Sequence, residues 1–304
     1  MIVMFLEDNK IYQGNSLELM QKLQDNIAHL ILSDIPYGIG SDDWDVLHTN
    51  NNSAYMGSSA AQELAGSVFE KRGKPINGWC QADREIPRQY QEWCSTWAAE
   101  WLRVLKPGGN AILFSGRRFS HRCVSALEDT GFNFKDSLAW LRPTAPHRAQ
   151  RLSVVYSRRG DDESASAWEG WRIGNLRPLY EPILWFSKPY RIGGTIADNV
   201  LEHGVGAYDE SGFVKYTGAP NNIVTCGLAK GEGGMHPTQK PVKLMAMLIE
   251  LTTQKDHLVI DPFAGSGSTL VAAKLLGRRY MGFELNSEYV DTCTTRLEPT
   301  VLFQ

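Results

Sequence analysis

Two apolar rhythms alternate along this chain. Residues 27–33 are apolar but for His29 and the closing Ser33, the near-continuous run that a strand buried on both faces needs. Residues 11–26 ahead of it read as a strand end, a turn at Gly14-Asn15-Ser16, and a helix with Leu17, Met20 and Leu23 at helical spacing. Residues 90–105 place Trp93, Trp97, Trp101, Leu102 and Leu105 on one helical face. Lys106-Pro107-Gly108-Gly109 stops that helix and turns the chain into a strand over 111–114. Residues 119–130 predict a helix ended by Gly131, and 134–141 a strand. Another strand covers 180–186, closed by Lys188-Pro189. The last third repeats the alternation: helix 242–252, strand 257–260, helix 268–276, strand 280–283 with Glu284 at its tip, helix 289–297. Strands alternating with helices predict an α/β fold, a mostly parallel twisted sheet flanked by helices.

Two stretches break the rhythm. Residues 40–90 are polar and turn-rich, with a short helical pattern at 60–69; a loop this long reads either as a substrate-closing lid or as a surface insertion. From Arg142 onward, His147, Arg148, Arg151, Arg158, Arg159, Arg172 and Arg177 interleave with Tyr156, Trp168 and Trp171. The acid that answers them is bunched at Asp161, Asp162 and Glu163, and 192–232 is rich in turn formers. These breaks divide the chain into 1–142, an inserted 143–233 and 234–300. Val301-Leu302-Phe303-Gln304 matches a tag-cleavage remnant and is set aside.

Composition narrows the classes. With 304 residues and 42% apolar content, the chain is that of a soluble globular protein. No apolar run approaches the roughly 18 residues of a membrane span, and the first six residues lack a signal peptide's basic start. Five scattered cysteines form no CxxC pair, so reduced thiols in a cytoplasmic protein are expected, with neither a metal site nor a disulfide frame. A net charge of −3 means that any nucleic-acid footprint is local.

Chemistry concentrates at two strand tips. Ser33-Asp34-Ile35-Pro36-Tyr37-Gly38 follows the first buried strand; alone it reads equally as an ordinary turn or as an active-site loop. Asp261-Pro262-Phe263-Ala264-Gly265-Ser266-Gly267-Ser268-Thr269 joins a strand to a helix in the manner of a nucleotide-cofactor loop. No Lys precedes Ser268, so it is not a phosphate-binding P-loop, and Leu270 stands where the dinucleotide fingerprint has its third Gly. Asp261 would repel a pyrophosphate but suits a cationic ligand. Glu284, about twenty residues on, lies where a carboxylate accepts ribose hydroxyls. An adenosine joined to a cationic amino acid, S-adenosylmethionine, satisfies both.

At this point the sequence resembles a known family. Asp34-Ile35-Pro36-Tyr37 is similar to the Asp-Pro-Pro-Tyr motif of amino-group DNA methyltransferases, and Asp261 to Thr269 to their cofactor motif. The order, catalytic motif first, is that of the β-class group. The segment from His236 to Pro241 also resembles that class, and Ile35 departs from it by replacing a Pro. The resemblance implies a Rossmann-like methyltransferase fold with an inserted target-recognition region at 143–233. It implies catalysis by Asp34, Pro36 and Tyr37: the carboxylate and a backbone carbonyl of Ile35-Pro36 accept the two hydrogens of the target amino group, and the Tyr37 ring stacks the base. It places the cofactor on Asp261, Phe263, Gly265, Ser266, Gly267, Thr269 and Glu284, with Lys240 neutralising its carboxylate. Ser266, Thr269 and Lys240 read equally as caps or solvated side chains. Ile35, Trp140, Arg148, Arg151 and Arg172 are expected on the DNA side, Trp140 alternatively as core and each Arg alternatively as part of a solvated face. Double-stranded DNA is the expected partner; a homodimer and a restriction endonuclease are compatible with the class. The leading activity is transfer to adenine N6. Cytosine N4 is the runner-up, ahead of another amine in RNA or protein and of a catalytically silent subunit.

Overall fold

The computed structural model describes residues 6–37, 81–142, 149–229, 232 and 239–298. Its strands are β1 (Lys10–Gln13), β2 (Ala28–Asp34), β3 (Leu105–Phe114), β4 (Asn133–Leu141), β5 (Gln150–Arg151), β6 (Arg172–Ile173), β7 (Tyr180–Ser187), β8 (Ile223–Thr225), β9 (Leu258–Asp261) and β10 (Arg279–Glu284). Eight of them form one sheet in the order β1-β10-β9-β2-β3-β7-β4-β8, parallel throughout except for β7, which runs against both β3 and β4.

The apolar run of β2 explains its central place. Ile31 enters one core with the Trp-bearing helix Gln81–Val104, while Leu30 and Leu32 enter the other with the helices Val242–Thr252 and Ser268–Leu275. Trp97 and Trp101 meet tilted, 4.2 Å between centroids, and are fully buried. The helix they occupy begins nine residues before the periodicity predicts it. Leu105, expected to close that helix, instead opens β3; Lys106-Pro107-Gly108-Gly109 lies within the strand, where the β2–β3 register shifts and Gly108 takes φ +75°. The short 60–69 helix, with almost all of the 40–90 insertion, lies outside the described residues.

From β2 the chain moves to one side of the sheet, to β3. From its neighbour β9 it moves to the other, to β10. The carboxyl ends of β2 and β9 therefore border the point where strand order reverses, the crevice in which open α/β sheets place ligands. Asp34 ends β2 and Asp261 ends β9.

The inserted segment is less separate than its composition suggests. Ile183, Leu184, Trp185 and Phe186 bury β7 inside the main sheet, so the sequence-based boundaries at 143 and 233 cut through it. The turn-rich 192–232 stretch holds two further helices, Ile196–His203 and Glu210–Thr217. What stands outside the main sheet is the two-stranded β5–β6 ladder, joined by the short helices Leu152–Ser157 and Asp162–Ala167.

Candidate active site

Ser33 and Asp261 join the two chemical loops. The Ser33 hydroxyl donates to Asp261 Oδ1 at 2.6 Å, and the Phe263 N–H donates to the same oxygen at 3.1 Å. Burial pushes the Asp261 carboxyl up to about 6, against the pull of the Ser33 hydroxyl. Beyond Asp261, Gly265 and Gly267 take φ +50° and +82°, left-handed backbone that glycine adopts freely. A Cβ on Gly267 would stand 2.2 Å from Cys293 Sγ, so only glycine fits there. Glu284 Oε2 accepts the Gly265 N–H at 2.8 Å, and Oε1 accepts the Asn286 N–H at 2.8 Å. Each carboxylate oxygen keeps a further lone pair.

Phe263 is half-buried against the tryptophan helix, its ring 5.9 Å from Trp93, 6.3 Å from Trp101 and 6.4 Å from Trp97. Ser266 differs from its expected role as a carboxylate ligand. Its carbonyl and hydroxyl both accept from Arg296 of the last helix, at 2.6 and 3.2 Å, which fixes the loop from behind. Thr269 is buried in the first turn of the helix Ser268–Leu275.

The Asp34 loop is a charged cluster. Asp34 Oδ1 accepts from the Tyr37 hydroxyl at 2.7 Å, and Oδ2 accepts from Lys240 Nζ at 2.6 Å. Glu181, near the start of β7, meets the same hydroxyl and lies 3.0 Å from Lys240 Nζ. Its other oxygen pairs with Arg142 at 3.3 Å. Burial raises the Asp34 carboxyl above its ordinary range, although Lys240 opposes the shift. Burial also pushes Glu181 up, but Lys240, Tyr37 and Arg142 together hold it below the usual value. The Tyr37 phenol is raised by burial and by the two carboxylates. Burial disfavours the Lys240 ammonium, but Asp34 and Glu181 raise its pKa overall.

Two sequence expectations change here. Lys240, expected near the cofactor's carboxylate, is bound to Asp34 instead, because Lys240, two residues before the helix Val242–Thr252, lies at the tip of β2. Ile35, expected on the substrate side, is 1% exposed and joins the core with Tyr90 and Trp97. That burial gives Ile35 a place in the core, while the Pro36 carbonyl is fixed by the Tyr90 hydroxyl at 2.8 Å. The Tyr37 hydroxyl is tied into the carboxylate cluster, and Lys240 Nζ sits 5.3 Å from its ring. Sequence reasoning missed Glu181. Its one signal is a lone carboxylate in an otherwise apolar strand.

Trp140 is buried, its indole N–H on the Cys226 carbonyl at 2.9 Å and its ring 5.2 Å from the Arg142 guanidinium. Arg151 and Arg172 are exposed and directly paired across the β5–β6 ladder. Beside them Trp168 and Trp171 are 41% and 62% exposed and meet edge to face at 5.4 Å. Arg148 lies outside the described residues. Among the described residues no His, Cys, Asp or Glu cluster has metal-holding geometry, and no helix is long and apolar enough to cross a membrane.

Comparison with known proteins fits this layout. The family model described as DNA methylase, for N6 and N4 enzymes, matches residues 28–295. The type II methyltransferase M.HindIII of Haemophilus influenzae is 50% identical over 292 residues, covering 94% of each chain. M2.MboI of Moraxella bovis, also a type II methyltransferase, is 26% identical over 96% of this chain and 89% of its own. Among solved structures, the cytosine-N4-specific PvuII DNA methyltransferase superposes with a TM-score of 0.63 at 17% identity, covering 97% of this chain and 88% of its own. A Thermus thermophilus protein solved in complex with S-adenosyl-L-methionine superposes at 0.57 and 18% identity, covering 95% and 92%. At such identities the likeness is one of fold.

Proposed function

The chain belongs to the N6/N4 DNA methylase family, and we propose that it transfers a methyl group from S-adenosylmethionine to the N6 amino group of an adenine turned out of duplex DNA. The observation that carries this reading is the Ser33–Asp261 hydrogen bond. It sets the amine-accepting carboxylate of Asp34, the next residue, beside the glycine loop.

The loop suits that cofactor. Asp261 and Glu284 make its mouth acidic, which favours a sulfonium and an ammonium and disfavours phosphates. Gly265 and Gly267 let the backbone approach closely. Asp261, Phe263, Gly265, Gly267 and Glu284 would hold it, with Glu284 taking the ribose and the Phe263 ring facing the cationic end. When bound, the cofactor supplies an electrophilic methyl carbon, and the electron pair of the broken C–S bond stays on sulfur.

The protein's part is to prepare the nitrogen. The lone pair of an exocyclic amine is delocalised into its ring; acceptors on its hydrogens localise it. Asp34 offers one acceptor, and the backbone at Ile35-Pro36, stiffened by the Pro ring and anchored by Tyr90, offers the other. Positioning then supplies much of the rate. The nitrogen sheds one proton as the new N–C bond forms, and the Asp34 carboxylate is the acceptor in place. A base inside the duplex cannot reach these groups, so it is flipped out. Arg151 and Arg172, paired and exposed beside Trp168 and Trp171, are suited to the DNA backbone and bases. Together with Arg148 they form the target-recognition region of this reading.

Cytosine N4 is the second reading, because its amino group makes the same demands on Asp34; the Asp that opens the motif favours adenine. Asp34→Ala is the test. It removes one acceptor and is expected to lower methyl transfer on the order of 10²–10³-fold or more, with cofactor affinity largely kept. Retained turnover in that variant would sink the assignment.

A further inference from the structure

A target amino group must donate to Asp34, yet both oxygens of that carboxylate are already engaged. The Tyr37 hydroxyl holds Oδ1, and Lys240 Nζ holds Oδ2. An ammonium is a nitrogen with N–H donors, so Lys240 Nζ occupies Asp34 as the substrate nitrogen would. It is only 3% exposed, and a buried ammonium is stable only while paired. A second pairing is already present: Glu181 Oε1 stands 3.0 Å away, itself anchored by Arg142. The Phe114 ring, with its centroid 5.0 Å from Nζ, borders the same spot.

We propose that Lys240 is a place-holder for the target amino group, which yields Asp34 Oδ2 when the base enters and withdraws onto Glu181, a positioning residue. The inference rests on the amino-methylation reading. No buried charge is left alone in either state: Asp34 exchanges one N–H donor for another, while the Lys240 ammonium keeps a carboxylate. Glu181 touches neither base nor cofactor; it acts by giving Lys240 a second resting place. The exchange also keeps an N–H donor on Asp34 Oδ2 between turnovers.

Among the described residues, the charged and titratable groups facing Lys240 include Asp34 from β2, Tyr37 from the loop after it, Glu181 from β7 and Arg142 just after β4, with Asp261 of β9 acting on Asp34 through its charge. The test uses the full chain, labelled S-adenosylmethionine and duplex DNA. Wild type, Glu181→Gln, Lys240→Met and the double variant are compared for kcat, KM, cofactor affinity, melting temperature and the pH–rate profile from about pH 5 to about pH 9. Glu181→Gln is expected to lower kcat about tenfold to a hundredfold, with cofactor affinity within about twofold, because Lys240 then stays on Asp34. Lys240→Met leaves two carboxylates facing each other and moves the acid limb of the profile up by about a unit. The double variant removes both the stuck cation and the repulsion, so its kcat exceeds that of Glu181→Gln and its acid limb returns toward wild type. A double variant no faster than Glu181→Gln, or an unmoved acid limb in Lys240→Met, overturns the place-holder. Should Lys240→Met not fold, Lys240→Gln takes its place in the same cycle. A wild-type enzyme that methylates no base overturns instead the reading on which the inference rests.

Discussion

The two ends of the central strand pair β2–β9 bury ionisable groups in opposite ways. At the carboxyl ends, the buried Lys240 ammonium sits between the Asp34 and Glu181 carboxylates, and Arg142 answers Glu181 from its other side. At the other end, His29 and His257 stack with ring centroids 4.0 Å apart and interplanar angle 25°. Each accepts a backbone N–H on Nδ1, from Leu258 and from Gln254, both at 3.1 Å. Burial and the nearby cations Lys106 and Arg279 hold His29 down at about 3 and His257, with Arg278 also near, at about 4. Both rings are therefore neutral at pH 7. The same strands keep charge at the end proposed to bind ligands and discard it where only packing is required. Buried charge is a poor way to gain stability, so its presence at one end alone marks that end as the working one.

Steric change separates the ends most sharply. Gly267→Ala, at the working end, forces a left-handed alanine onto Cys293 Sγ. About 3 kcal/mol of lost stability is expected from overpacking and backbone strain combined, together with weakened cofactor binding, measurable by denaturation and calorimetry. If cofactor affinity survives unchanged, the loop is not the binding element.

Acid acts on the two ends in opposite directions. The histidines titrate below their unfolded value of about 6.5, so the unfolded state takes up protons first and their contribution is lost as pH falls from there toward about 4 and then about 3. Asp261 titrates above its unfolded value, so between about 6 and the ordinary carboxylate range the folded state binds the extra proton and gains stability. Melting temperatures of wild type and His257→Gln between pH 7 and pH 4 are expected to diverge, the variant losing less. Parallel curves would show that the histidine pair is not what acid disturbs.

The smallest effect is at the histidine end. Thr195 and Asp198 form a capping box on the helix Ile196–His203, whose closing Gly204 lies against His257. Thr195→Ala is expected to cost about 1 kcal/mol, seen in the denaturation midpoint, with methyl transfer unchanged. A loss of activity would show that the two ends are coupled.

Much of this was legible in the chain. The helix Val242–Thr252 and the tips Asp34, Asp261 and Glu284 fall where periodicity and turn chemistry place them, because those signals are local. Glu181 and the placement of Lys240 were not legible, since the Tyr37 and Asp34 groups they meet lie 144 and 206 residues away along the chain. Ile35 read as a substrate contact because its motif implies one; only packing reveals that its side chain belongs to the core. The helices Ile196–His203 and Glu210–Thr217 hid among turn formers, although the Thr195 and Asp209 caps were their signals.

The most direct test of the central claim is the identity of the product. Wild-type enzyme is incubated with labelled S-adenosylmethionine and DNA of mixed sequence, and the DNA is then digested to nucleosides for mass spectrometry. The proposed reading, with an Asp opening the catalytic motif, predicts labelled N6-methyladenine. Label in N4-methylcytosine alone would move the activity to the other amino base, and no labelled nucleoside from DNA that the protein still binds would contradict methyl transfer itself.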